Sequence, residues 1–493
     1  MMFAKQSRRP SRVRISPQCS RLSALASLVL TACFSVNAVA LDLSPFFSWD
    51  FRADGALTWS ALGPLFENRK VEFPAAYDTL LAAPRPLFVY FARDENSSAG
   101  FDAAWPLAFG RRRPDSSYQY ALLFLHTKRF SGGSQSERWY LLPLLYYGRD
   151  REGESYFGFF PLGGGVRDIA GLDRVQFWLW PLYVSTAHGQ TVSHSVLWPI
   201  FSRTTGPRTH KWRVFPLSGV AETPAKTRRF ILWPFGHTVN DHPPDAPWQG
   251  SGWFIFPLFG LYRLQDDSGE PIGSAWTLLW PLFSRRTSPA GSMLNAPWPF
   301  FQTARGVTAG GEVAKLYFWP FYGRKIRPDH DYRFVMWPLY NRSATRYADT
   351  RYESRSIVPF YYSTARVGED QATAVRRLCW PLFRHERREN GDAWLRAPAL
   401  WPLPAGEPVL RDYAPLWQLY RYNRQDEVRS HSFLWGLWQH QRRRPDMRSV
   451  TFNPLFDYRR DGADRSCSIL KGLAAWGQLD GENTGRVLWF IDW

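Results

Sequence analysis

The sequence predicts an all-β fold, a repetitive antiparallel meander of about twenty strands, either open or closed as a large barrel. Three observations predict it. A short motif recurs along almost the whole chain, and Tyr332-Arg333-Phe334-Val335-Met336-Trp337-Pro338-Leu339-Tyr340-Asn341-Arg342 is a clear copy of it. Aromatic residues make up 17% of the chain, with 25 Trp, yet the mean hydropathy is −0.35, so the apolar residues are gathered into short bands between polar segments. Those polar segments carry turn chemistry: Asn390-Gly391 and Asp461-Gly462 are preferred hairpin pairs because they tolerate positive φ.

Taken in order, residues 1–40 have the layout of a secretory signal. Lys5, Arg8, Arg9, Arg12, Arg14 and Arg21 form a basic region without acids, an apolar stretch covers about Leu22 to Val36, and Ala38-Val39-Ala40 fits the small-x-small cleavage rule. The expected mature start is Leu41. A rival address lies inside the same stretch: Leu30-Thr31-Ala32-Cys33 resembles the bacterial lipobox, in which Cys33 would carry the lipid. Either route takes the chain out of the cytoplasm. Cleavage after Ala40 leaves Cys379 and Cys467, too few for a disulfide framework. Cys379 is expected as a buried thiol or as half of one bridge.

Residues 41–493 form one continuous repeat array. The motif is worn at Gly63-Pro64-Leu65-Phe66 and Arg85-Pro86-Leu87-Phe88, and clear at Trp180-Pro181-Leu182-Tyr183, Trp198-Pro199-Ile200-Phe201 and Trp280-Pro281-Leu282-Phe283. It continues through Trp380-Pro381-Leu382-Phe383 and decays at Pro415-Leu416-Trp417, Trp435-Gly436-Leu437 and Pro454-Leu455-Phe456. Copies recur roughly every 20 residues, too far apart for a short β-helix repeat and too close for a propeller blade. Each copy is read as one strand, joined to the next by a polar turn, and short turns join antiparallel neighbours. The motif Trp, Trp337 among them, are then expected at strand centres in core or lipid contact.

Two features resist that reading. Proline cannot donate to a ladder, so a central strand should avoid it, yet one stands in nearly every copy. In Phe230-Ile231-Leu232-Trp233-Pro234-Phe235 both alternating faces are apolar, which implies a strand covered on both sides.

The chain ends Arg486-Val487-Leu488-Trp489-Phe490-Ile491-Asp492-Trp493. Val487, Trp489, Ile491 and Trp493 alternate onto one face. This segment resembles the C-terminal strand of bacterial outer-membrane β-barrel proteins, although Trp493 stands where a terminal Phe is more usual. The resemblance covers these residues together with the export signal and the strand repeats. It implies that Val487, Trp489, Ile491 and Trp493 act as a barrel-assembly signal, with an outer-membrane address in a Gram-negative envelope. Against a closed barrel, the apolar bands are shorter than the roughly 9–11 residues of a spanning strand, and a wide barrel has a polar lumen.

Nothing in the sequence names a substrate or a reaction. HExxH, Cys-x-x-Cys, EF-hand and Gly-x-Ser-x-Gly patterns are missing. Gly163-Gly164-Gly165 is not followed by Gly-Lys-Ser/Thr, and His237, Asp241 and His242 are read as a solvated loop beside Pro243-Pro244. No catalytic, metal or cofactor site is therefore assigned. The formal charge of +18 favours anionic partners, namely a lipid bilayer or lipopolysaccharide, and export argues against nucleic acid. The expected function is a non-catalytic outer-membrane or outer-membrane-associated β-repeat protein with a structural or transport role. The alternative is a periplasmic or surface scaffold for an anionic glycan or lipopolysaccharide.

Overall fold

The computed structural model describes residues 40–493 apart from 52–56, 71–77, 94–96, 132–133, 309, 369–372, 405, 444, 489–490 and 493. These residues form a single 46-stranded sheet, from β1 (Ala40–Leu43) to β46 (Ile491–Asp492), in which each strand pairs antiparallel with the next in sequence. The antiparallel meander is as expected. The strand number is more than twice the expected one, because each repeat contains two strands.

The reason lies in where the motif sits. In β25 (Pro271–Leu278) and β26 (Phe283–Ser288) the ladder runs from Ser274↔Thr287 to Leu278↔Phe283, and Leu279-Trp280-Pro281-Leu282 is the turn between them. The same holds for Met336-Trp337-Pro338-Leu339 between β31 (His330–Val335) and β32 (Tyr340–Tyr347). The expectation of a mid-strand proline is thus corrected: the residue with no N–H stands where the ladder needs none. Bonds such as Trp280-Pro281 and Trp337-Pro338 are cis, and Leu279 and Met336 take left-handed φ values of 46° and 49°. The two-sided apolar band dissolves for the same reason. Only Phe230-Ile231 belongs to β21 (Lys226–Ile231); the next four residues are the turn.

All motif turns stand on one rim and the polar turns on the other. At the polar rim, Asp150 Oδ1 accepts the backbone N–H of Glu152 and Glu154 at 3.0 and 2.9 Å, with Gly153 at φ 87°. Asp266 repeats this with Ser268 and Glu270 at 3.0 and 2.8 Å, with Gly269 at φ 84°. An Asp side chain mimicking a backbone turn fixes both loops. The segments around Asn390-Gly391 and Asp461-Gly462 do form hairpins, but Gly462 is the first central residue of its turn, because Asp461 pairs with Asp464.

Registers connect across the sheet, so residues fall into rows counted from the motif rim. The first row, next to the turns, and the third row point to one face. The second row points to the other, and it holds much of the buried apolar material: Tyr140, Phe177, Phe334 and Leu378. Much of this burial is achieved within one layer, by laying aromatic rings over cross-strand glycines. Phe334 lies opposite Gly323, where a Cβ would stand 2.0 Å from the ring. Phe230 lies opposite Gly219, where the approach would be 2.4 Å. Gly323→Val should therefore displace Phe334 and destabilise the sheet by about 1–3 kcal/mol. A urea midpoint equal to the parent's would show that the ring does not occupy that space.

Among the described residues no ladder joins β1 to β46, so the sheet they form is not closed by hydrogen bonds. The large closed barrel is therefore not what the backbone forms. The tail is also not one strand: β45 (Glu482–Val487) ends in a turn at Leu488, and Ile491 folds back to pair with Val487.

Candidate functional site: an apolar rim and a charged seam

The motif turns build an apolar rim whose backbone donors are spent internally. Trp280 N–H donates to Pro257 O at 2.7 Å, Leu279 N–H to Leu258 O at 2.8 Å and Leu282 N–H to Leu279 O at 2.9 Å. In the next clear copy Trp337 N–H donates to Pro320 O at 2.6 Å, Met336 N–H to Phe321 O and Leu339 N–H to Met336 O at 2.7 Å each. Successive turns are thus hydrogen-bonded to one another, and proline contributes no donor. A turn whose N–H groups are all engaged can leave water at a smaller desolvation cost, since only carbonyls remain to be satisfied.

The side chains of the same turns are not engaged in this way. Leu232, Leu258 and Leu382 are 56%, 56% and 61% exposed, and the motif aromatics form a half-exposed ladder in which Trp319 and Trp337 rings lie 5.9 Å apart and Trp180 and Trp198 6.0 Å. The first row continues the surface. Trp178, Val196, Ile231, Ile255, Leu278, Phe318, Val335 and Ile357 all point outward and exposed. Trp337 is 46% exposed and lies in a turn, so its expected place at a strand centre in the core is corrected to a place on this rim. An exposed apolar band of this continuity far exceeds the scattered apolar residues of ordinary surfaces.

The second-row face is covered where the two ends of the sheet meet. Contacts between the ends run in reverse order along the chain. Asp42 Oδ2 accepts from Asn453 Nδ2 at 2.9 Å, Trp435 lies on Gly63, and Arg411 binds Asp102. The ends therefore meet face to face, through side chains. A segment between β37 (Ala393–Ala397) and β38 (Tyr420–Gln425) supplies the helical turn Val409–Tyr413, which puts Arg411 over the Phe91 ring, 3.6 Å from its centroid. Arg411 Nε donates to Asp412 Oδ1 at 2.9 Å, Tyr413 Oη donates to Trp105 O, and Arg111 meets Asp102 Oδ1 at 2.6 Å. Nearby, Arg85 is 2% exposed and binds Glu67, donating also to Pro64 O at 2.9 Å. Burial alone would raise the Glu67 carboxyl; Arg69, Arg85 and Arg421 overcome it and hold the group below its ordinary range.

Asp412 goes the other way. Burial, and then the neighbouring Asp102 carboxyl, push it up to about 7 against the opposing pull of Arg411. A carboxyl raised on folding stabilises the fold in full at low pH and loses that contribution as pH rises through its folded value. The seam should therefore weaken progressively as pH rises from about 4, the ordinary carboxyl range, to about 7, and little further above that. Asp412→Asn, which keeps a donor toward Asp102 at any pH, should flatten that dependence in urea midpoints measured across the range. An unchanged slope would place the titration elsewhere.

The other sequence-marked residues scatter. Cys33, Trp489 and Trp493 lie outside the described residues, Val487 and Ile491 form the small terminal hairpin, and Cys379 and Cys467 are separate half-buried thiols. Among the described residues no three His, Cys, Asp or Glu side chains gather as a metal site. The seam escaped sequence reasoning because its partners are about 300–400 residues apart and no local pattern links them. No known family matches this chain, and a search of curated proteins found no match.

Proposed function

We propose that this is a non-catalytic, outer-membrane-associated β-repeat protein that seats its motif rim in one leaflet and serves a structural or transport role there. The observation that carries the reading is the rim itself: exposed leucines and aromatics, backed by an apolar first row, on turns whose backbone donors are internally satisfied. Turn plus first row give an apolar depth of roughly 5–10 Å, the depth at which interfacial segments lie. Among the described residues the longest strands have 8 residues, and their far ends carry charged turns, against the roughly 9–11 apolar-alternating residues of a spanning strand. A seat in one leaflet suits these dimensions better than a crossing does. The export signal read in residues 1–40 supports an envelope address.

Flotation of the purified chain with phosphatidylcholine vesicles tests the proposal. The chain should rise with the vesicles and resist high salt, because the contact is apolar. A chain that stays at the bottom of the gradient, folded and soluble, would overturn it.

A further inference from the structure

The third row, on the same face as the apolar first row, contains one sector unlike the rest. Across β30 (Tyr322–Arg327), β31, β32 and β33 (Thr350–Ile357) the register places four arginines directly opposite one another: Arg324↔Arg333, Arg333↔Arg342 and Arg342↔Arg355. Ser363 follows, and then Arg377. Elsewhere in this row arginines stand singly: Arg203 lies between His194 and Trp212, Arg229 between Val220 and Thr238, and Arg285 between Trp276 and Leu294. Neighbouring strands are about 4.8 Å apart, so four guanidinium groups share some 15 Å of sheet. Like charges directly opposite each other are destabilising.

The local acids do not balance them. Asp331 holds Arg333 at 2.7 Å and reaches Arg324 at 3.8 Å, and Glu353 holds Arg355 at 3.3 Å. Arg342 and Arg377 have no direct ion pair among the described residues. The side chains stay open to a ligand, with Arg324 and Arg333 each 41% and Arg355 54% exposed. Their height is defined as well. Two residues closer to the rim, the first row reads Tyr322, Val335, Tyr340, Ile357 and Tyr361, so the ladder sits about 7 Å above an apolar and tyrosine band.

We propose that Arg324, Arg333, Arg342 and Arg355, extended by Arg377, form a binding strip for the phosphates of anionic lipid headgroups in the leaflet that the rim enters. The inference rests on the one-leaflet reading above, which sets the ladder at headgroup height. Guanidinium forks match phosphate oxygens bidentately, and a row of phosphates would supply the charge that the ladder lacks. The strip would also fix which sector of the sheet meets acidic lipid.

The test uses the full chain, vesicles of phosphatidylcholine alone and vesicles of phosphatidylcholine with phosphatidylglycerol. The parent should bind the mixed vesicles more tightly, and added salt should remove the difference. The variant R333Q/R342Q/R355Q should lose about a hundredfold toward mixed vesicles, from roughly fivefold per surface arginine, and nothing toward neutral ones. Without lipid it should melt no lower than the parent, since removing the ladder relieves repulsion, whereas R203Q/R229Q/R285Q removes equal charge without that relief. Inorganic phosphate alone should not reproduce the effect of mixed vesicles on melting. Equal binding of parent and ladder variant to both vesicle types would overturn the ladder and leave the rim reading standing. Binding to neither type would overturn the rim reading and the ladder with it. A melting shift given fully by free phosphate would assign the strip to small anions instead.

Discussion

Replacing Leu232, Leu258 and Leu282 by serine should weaken partitioning into phosphatidylcholine vesicles roughly a thousandfold, at about 1.5 kcal/mol for each leucine. These leucines occupy the motif turns and are exposed, so they add little to packing, and their backbone bonds to neighbouring turns do not depend on the side chain. The urea midpoint should consequently stay close to the parent's while flotation collapses. Loss of both together would mean that the turn leucines hold the sheet rather than the bilayer. Unchanged flotation would remove the rim from the account.

Arg411→Ala should destabilise the seam by about 3–5 kcal/mol, the usual effect of leaving a buried carboxylate without its cation. Arg411 stands between Asp102 and Asp412, both fully buried, and lies on Phe91. Its loss leaves Asp412 without its cation, leaves Asp102 with Arg111 alone, and empties the space over the ring. Adding Asp412→Asn to the same chain should recover part of the loss, because it removes the acid left without a cation, while Asp102 keeps Arg111. The readout is a urea titration, with the strands between the two ends unfolding separately if the seam opens first. A midpoint identical to the parent's would mean that the ends do not meet in solution.

Some of this architecture was legible in the sequence. The W-P-L-F/Y repeat, the hairpins at Asn390-Gly391 and Asp461-Gly462 and the antiparallel order follow from residue chemistry alone. The strand count does not, because an apolar run such as Phe230-Ile231-Leu232-Trp233-Pro234-Phe235 has the composition of a strand while four of its six residues form a turn. Its proline was the local sign of a turn, and the absence of a polar partner face was the second. The Arg324–Arg333–Arg342–Arg355 ladder is invisible until register is known, because its sequence spacing is uneven and only pairing brings the four together. The seam lies further still from sequence, since Asp102 and Arg411 become neighbours only when the whole sheet is built.

The central claim is that the motif rim enters a bilayer and the polar rim does not. An environment-sensitive fluorophore on a cysteine introduced at Leu282, compared with one at Ser268 on the opposite rim, tests it most directly, in a background with Cys379 and Cys467 replaced. On addition of vesicles the Leu282 label should shift to the blue and be quenched by nitroxide lipids. The Ser268 label should remain quenched by aqueous iodide from the side of addition. Two labels that both stay in water, or a Ser268 label that becomes accessible only from inside the vesicle, would contradict a rim seated in one leaflet.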